Sequence, residues 1–175
     1  MEALARFHPW IIHTPIALIT VGFLFELVGR ATDLGWWREA AFAMLIVGVL
    51  GAGAAVLSGE QAGELAEKQG VPEAPVDEHE EAGKLTLWLG IAAVVLRAVA
   101  SRTGRARAVV SGLALALFLA TAVAVGVAGF RGGHLVYEHG AAVRVNGTPV
   151  VQPRSESGGA GKGEPGEHVH EHEGR

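Results

Sequence analysis

Eight histidines and no cysteine confine any metal or cofactor chemistry in this 175-residue chain to imidazole and carboxylate ligands. Five of them, His8, His13, His79, His134 and His139, fall at the ends of long apolar segments. Histidine is uncommon at bilayer depth, and where it occurs there it marks ligand, proton or metal sites. Imidazole, with or without carboxylate, suits zinc, copper, non-haem iron or a bis-histidine b-type haem. The lack of cysteine excludes disulfides, thiolate metal sites and cysteine-ligated iron–sulfur clusters.

The opening His8-Pro9-Trp10-Ile11-Ile12-His13-Thr14-Pro15 predicts a helix that starts near Pro9 and is kinked at Pro15. Proline there leaves the carbonyl of Ile11 without its helical donor, and His13 sits beside that irregularity, about one turn into the segment. His13 therefore ranks first as a ligand, against the bland reading of a histidine bonded to a freed carbonyl. His79 lies in Asp77-Glu78-His79-Glu80-Glu81, just before the third apolar segment. Such acids, Glu80 foremost, can orient an imidazole or join it on a metal, yet they equally suit the positive start of a helix. His79-Glu80-Glu81-Ala82-Gly83 lacks the second histidine of a zinc-protease motif. His134 and His139 bracket Leu-Val-Tyr-Glu after a double glycine, with the chain's one tyrosine, Tyr137, between them. The expected metal set is His13, His79, His139 and Glu80, and His134 and His8 complete the candidates for a bound cofactor.

These residues are positioned by four apolar segments, judged against about 20 residues for a hydrocarbon core. They are Trp10–Val28, interrupted by His13 and Glu26, the uncharged Ala40–Leu57, Leu85–Val99 with Arg97 near enough to its end to snorkel, and the uncharged Val109–Phe130. Trp10, Trp36, Trp37 and Trp88 lie near segment ends, where interfacial aromatics belong. Half the residues are apolar and the formal charge is only −4, a composition that fits a one-domain membrane protein. Arg30 and Arg38 flank the first loop, and Arg97, Arg102, Arg105 and Arg107 crowd the third, whereas Ser58–Lys84 is rich in acids. By the positive-inside rule the arginine loops are cytoplasmic and both termini lie outside. All five histidines then share the outer face.

Small residues suggest how the helices pack. Gly112, Ala116, Ala120, Ala124 and Ala128 recur every four residues, and Gly48, Gly51, Ala52, Gly53 and Ala55 cluster in the second segment. Such stripes let backbones approach closely, within a bundle or in a homo-oligomer. The expected fold is an all-α, up-down four-transmembrane-helix bundle over residues 1–145 with a short C-terminal extension. Gly132-Gly133 is read as the end of the fourth helix. Ala142–Val145 and Thr148–Val151 flank Asn146-Gly147 as a tight hairpin weakened by Pro149. Within 146–175 the chain turns to Gly, Ser, Glu and His from Arg154 onward, a composition that predicts a disordered tail, in which His168, His170 and His172 can at most chelate metal weakly.

The chain resembles a bacterial family of small four-helix membrane proteins of unknown function. The resemblance rests on His8-Pro-x-x-x-His13-x-Pro15-Ile16-Ala17-Leu18, on His79-Glu80, and on Gly132-Gly133-x-Leu135-Val136-Tyr137-x-His139-Gly140. It covers Phe7 to Val145 and implies the fold more strongly than the function. Relatives of this domain occur fused to Rieske-type iron–sulfur domains, which implies a redox setting and, for this chain, a separate electron partner.

No phosphate-binding glycine loop, no serine nucleophile elbow and no basic nucleic-acid surface is present, so no catalytic residue is assigned. The expected function is a bacterial inner-membrane redox component holding b-type haem or a metal ion on its outer face. Non-redox handling of zinc or copper and a structural or assembly role are the alternatives. The arginine-rich loop is expected to meet lipid headgroups.

Overall fold

The computed structural model describes residues 2–100 and 102–151. Helix α1 (Glu2–Ile11) runs into α2 (His13–Thr32), followed by α3 (Gly35–Lys68), α4 (Glu73–Ala100) and α5 (Arg107–Tyr137), the last entered through a 3-10 turn at Gly104–Ala106. With α1 and α2 taken together over Ala5–Thr32, four helices among the described residues are long and apolar enough to cross a membrane. The protein is an all-α, multi-pass membrane protein, as its apolar segments predict. Helix α3 packs on α2 and α4, α4 on α5, and α5 back on α2, while α1 lies against α3. Connections of a few residues force consecutive helices to run antiparallel.

The expected kink is placed slightly differently. Pro15 deprives Ile11 of its donor, and α1 ends at that residue. Ile12 keeps helical angles (φ −61°, ψ −25°). The bonds from Ile12 N–H to the His8 carbonyl (3.1 Å) and from Ile16 N–H to the Ile12 carbonyl (3.3 Å) carry the helix across. The first span passes the break at Ile12 without unwinding.

The helices are longer than their apolar segments. At about 1.5 Å per residue α3 reaches roughly 50 Å, well beyond a ~30 Å hydrocarbon core. Ser58–Lys84, read from the sequence as a loop, is mostly the polar ends of α3 and α4. Ion pairs at i,i+4, Glu64–Lys68 (3.3 Å) and Glu80–Lys84 (3.1 Å), run in the favourable Glu-before-Lys direction along these ends. Gly132-Gly133 does not end α5 either. The stop comes at Gly140 (φ +65°), where Ala141 N–H bonds the Leu135 carbonyl and Gly140 N–H the Val136 carbonyl. Helix α3 stops in the same way at Gly70 (φ +99°), with Val71 N–H on the Ala66 carbonyl. In such a turn the residue after the left-handed glycine folds back on the last helical turn. Val71 and Ala141 accordingly enter one small core with Val76, Leu135 and Ala66, outside the apolar spans. Beyond it, Arg144–Val145 pairs antiparallel with Thr148–Pro149 around Asn146-Gly147, both at positive φ, as the hairpin reading predicts. The tail expected from Arg154 onward, with its three histidines, lies outside the described residues.

The main core is Ile19, Ala41, Leu45, Val49, Ala93, Phe118 and Val125. Gly48 lets α2 approach α3, since a Cβ there would stand 2.8 Å from Ile19 Cγ1. The α3 stripe therefore packs inside the bundle as expected. The α5 stripe does so only in part. Ala124 is buried, but Gly112 and Ala116 are exposed, and Ala116, Ala120 and Ala124 line an apolar groove between α4 and α5 that opens outward.

Candidate functional site

Two polar layers cross the bundle, and the helical rise separates them. His8, Ser58, His79 and Ala128 come together at one end, and Glu26, Arg38, Arg97 and Ser111 at the other. Along each helix the two layers stand 17 to 20 residues apart, which is roughly 25–30 Å at about 1.5 Å per residue. That is about the thickness of a hydrocarbon core, so the layers lie toward opposite ends of the spans.

At the histidine end, His8 on α1 and His79 on α4 meet edge to face, with ring centres 6.2 Å apart and planes at 82°. His79 Nδ1 lies 3.0 Å from the Ala128 carbonyl on α5. A carbonyl can only accept, so this nitrogen carries the proton and Nε2 holds the lone pair. His8 Nδ1 lies 2.9 Å from Ser58 Oγ, whose single hydrogen is directed to the Ala55 carbonyl at 3.1 Å. Nδ1 of His8 is then the donor, and its Nε2 holds the lone pair. Each ring rests on a glycine: a Cβ on Gly59 would stand 3.1 Å from His8 Cε1, and one on Gly132 would stand 2.9 Å from His79 Cε1. Beside them, Arg131 ties α5 to α4 by donating to the Glu78 carbonyl at 2.7 Å.

Two imidazoles held by Nδ1–H bonds to oxygen are the usual outer arrangement of histidine metal ligands, which fixes the tautomer and raises Nε2 basicity. With metal–nitrogen bonds of about 2.0–2.1 Å, two rings on one ion stand roughly 5–6.5 Å apart centre to centre. The observed 6.2 Å lies within that range, and from an edge-to-face contact one ring has to turn for both Nε2 atoms to meet one ion.

The remaining candidates are not gathered here. His13 is exposed on α2, with no hydrogen bond, ion pair or ring contact to another described residue. Five residues at about 100° each turn it some 140° from His8. Glu80 pairs with Lys84 at 3.1 Å and lies against Gly63 of α3. His139 stands 5.6 Å from His134, centre to centre, and His134 Nε2 pairs with Glu138 at 2.9 Å. No group of three or more His, Asp or Glu residues placed to hold a metal ion forms among the described residues. Of the expected set His13, His79, His139 and Glu80, the described residues bring His79 against His8 and His139 against His134.

The opposite layer escaped the sequence reading. Glu26, 1% exposed, pairs with Arg30 at 2.9 Å, with Arg38 at 3.7 Å and with Arg97 through Oε2. That last contact is close but poorly aligned, since Oε2 has no hydrogen bond of acceptable geometry. Arg97 also donates to the Arg38 carbonyl at 2.9 Å and lies over the Phe42 ring. It turns inward instead of snorkelling. A carboxylate inside an apolar span with an arginine four residues on was the available signal.

A family model described as a predicted membrane protein, DUF2231, matches residues 5–145, the extent over which the motif resemblance runs. No curated protein and no solved structure matches the chain.

Proposed function

The chain belongs to the DUF2231 family of predicted membrane proteins, and we propose that it holds a b-type haem iron or a transition-metal ion between His8 and His79 as a membrane redox component. The observation that supports this is the pair of proton-bearing Nδ1 atoms, which leaves a lone pair on Nε2 of each of two rings 71 positions apart in sequence and 6.2 Å apart centre to centre. A haem iron takes two axial imidazoles and needs no third protein ligand. The pair sits at a membrane boundary, within reach of an electron partner outside the bilayer, for which a separate Rieske-type protein is the class implied by the family resemblance. The far boundary holds carboxylate and guanidinium groups instead of imidazole, so one centre, and no relay across the bilayer, is the reading. The cell is bacterial, the membrane its inner one, and the histidine end extracytoplasmic.

A structural or assembly role is the second reading, favoured by the same Nδ1 bonds, which also lock α1 to α3 and α4 to α5 without any ligand. An optical spectrum, a haem assay and elemental analysis separate the two, on protein purified in detergent from cells supplied with haem and metals. Haem or metal at one equivalent per chain, lost in His8→Ala and His79→Ala, is the expected result. Colourless, metal-free protein would leave the structural role standing.

A further inference from the structure

The arginine-rich boundary carries a second candidate site, independent of the histidine pair. A pocket of about 230 Å³ opens there between the starts of α3 and α5 and the end of α4, lined by Gly35, Arg38, Glu39, Arg97, Arg107 and Ser111. Glu26 offsets only one of the three guanidinium charges packed on it. Arg38 Nε is buried and makes no hydrogen bond, despite lying 3.7 Å from Glu26. Arg107 is exposed and has no ion-pair partner among the described residues. Glu39 is the single acid on the rim. The first turn of α3 adds its N–H groups, since it has neither a side-chain cap nor an acidic residue there, whereas the Arg107 N–H at the start of α5 is taken by the Gly104 carbonyl of the 3-10 turn. Uncapped N–H groups beside surplus guanidinium groups attract an oxyanion, and arginine binds phosphate through paired N–H donors.

We infer that this pocket binds a phosphate oxyanion, held by Arg38, Arg97 and Arg107 at the starts of α3 and α5. The group comes either from an anionic lipid whose headgroup lies at this boundary or from free phosphate. Guanidinium recognition is common to both sources.

Full-length protein in neutral detergent is titrated separately with short-chain phosphatidylglycerol and with inorganic phosphate, then with each in competition. Lipid binding that phosphate fails to displace identifies the headgroup, and phosphate binding that displaces the lipid identifies the free anion. In both cases Arg107→Gln weakens binding about tenfold, the loss of one charge-assisted hydrogen bond. Arg105→Gln, which alters the same connection outside the pocket, changes it less than twofold. A readout that needs no variant is the unfolding temperature in phosphate against chloride at equal ionic strength, or with and without the lipid, which rises with the ligand that binds. Failure of both probes to bind, or equal weakening by the two substitutions, would overturn the site.

Discussion

Gly132 lies directly beneath the imidazole of His79, so close that a Cβ there would stand 2.9 Å from Cε1 and 3.3 Å from Nδ1. Its neighbour Gly133 faces open space, with nothing within 4 Å of an added Cβ. The two substitutions Gly132→Ala and Gly133→Ala should therefore differ in sign. The first pushes His79 off the Ala128 carbonyl and costs about 1–3 kcal/mol as overpacking. The second removes a flexible residue from a helix interior and gains about 0.5–1 kcal/mol. Thermal unfolding in detergent reads both. Equal effects would mean that His79 is not seated on α5 as described.

Ligand retention should sort the histidines by contact, not by depth. His8→Ala and His79→Ala each abolish haem or metal binding, and the double variant is scarcely worse, because residues on one ion are not additive. His13→Ala and His139→Ala keep the ligand. Occupancy measured by absorbance or elemental analysis decides it, and loss in His13→Ala with retention in His8→Ala would reverse the assignment.

The spans were legible because a lipid-facing helix needs only an apolar run of sufficient length, which four segments supply. Their ends were not. Glu64, Lys68, Glu80 and Lys84 look like loop residues in composition, yet their four-residue spacing lets α3 and α4 continue past the bilayer. Glycine misled for a different reason. Gly132 makes room for a ring within a helix, whereas Gly70 and Gly140 end helices at positive φ, and a sequence does not show which task a glycine performs. The histidines were legible as a group on one face of the bundle. Their partners were not, since the meeting of His8 and His79 depends on how α1 and α4 rotate about their axes. Glu26 was visible as a charge in an apolar span, but its pairing with Arg97 joins α2 to α4 across the bundle and has no local signature.

Removing one member of the Glu26 network should cost in proportion to its burial. Arg97, 18% exposed, is held by Glu26 and by the Arg38 carbonyl. Glu26→Gln leaves three arginines facing a neutral group, and Arg97→Leu leaves a buried carboxylate short of a partner. Each is expected to lose about 3–5 kcal/mol, the usual cost of breaking a buried pair. Arg30→Ala should cost about 1 kcal/mol or less, because that guanidinium is partly solvated. Denaturant titration in mixed micelles measures all three, and the Glu26→Gln/Arg97→Leu double variant should fall well short of the sum. Strict additivity would show that the two residues act separately.

The expected orientation rests on where the cationic residues gather. Arg30, Arg38 and Arg97 are drawn toward Glu26, while Arg102, Arg105 and Arg107 stay exposed around the α4–α5 connection. On the other turn, Lys68 and Lys84 pair with Glu64 and Glu80. Arg131 and Arg144 stand at that other end too, so the excess of arginine around the α4–α5 connection is small, and the positive-inside rule makes that end the expected cytoplasmic one. Gly70 and Gly104 are exposed at opposite ends of the bundle, both at positive φ in tight turns, and such turns accept insertions. A reporter inserted at Gly104 should behave as cytoplasmic and one at Gly70 as external, placing His8 and His79 on the outer side. The reverse pattern would put both histidines on the cytoplasmic side and require a cytoplasmic electron partner, while leaving their contact with each other unchanged.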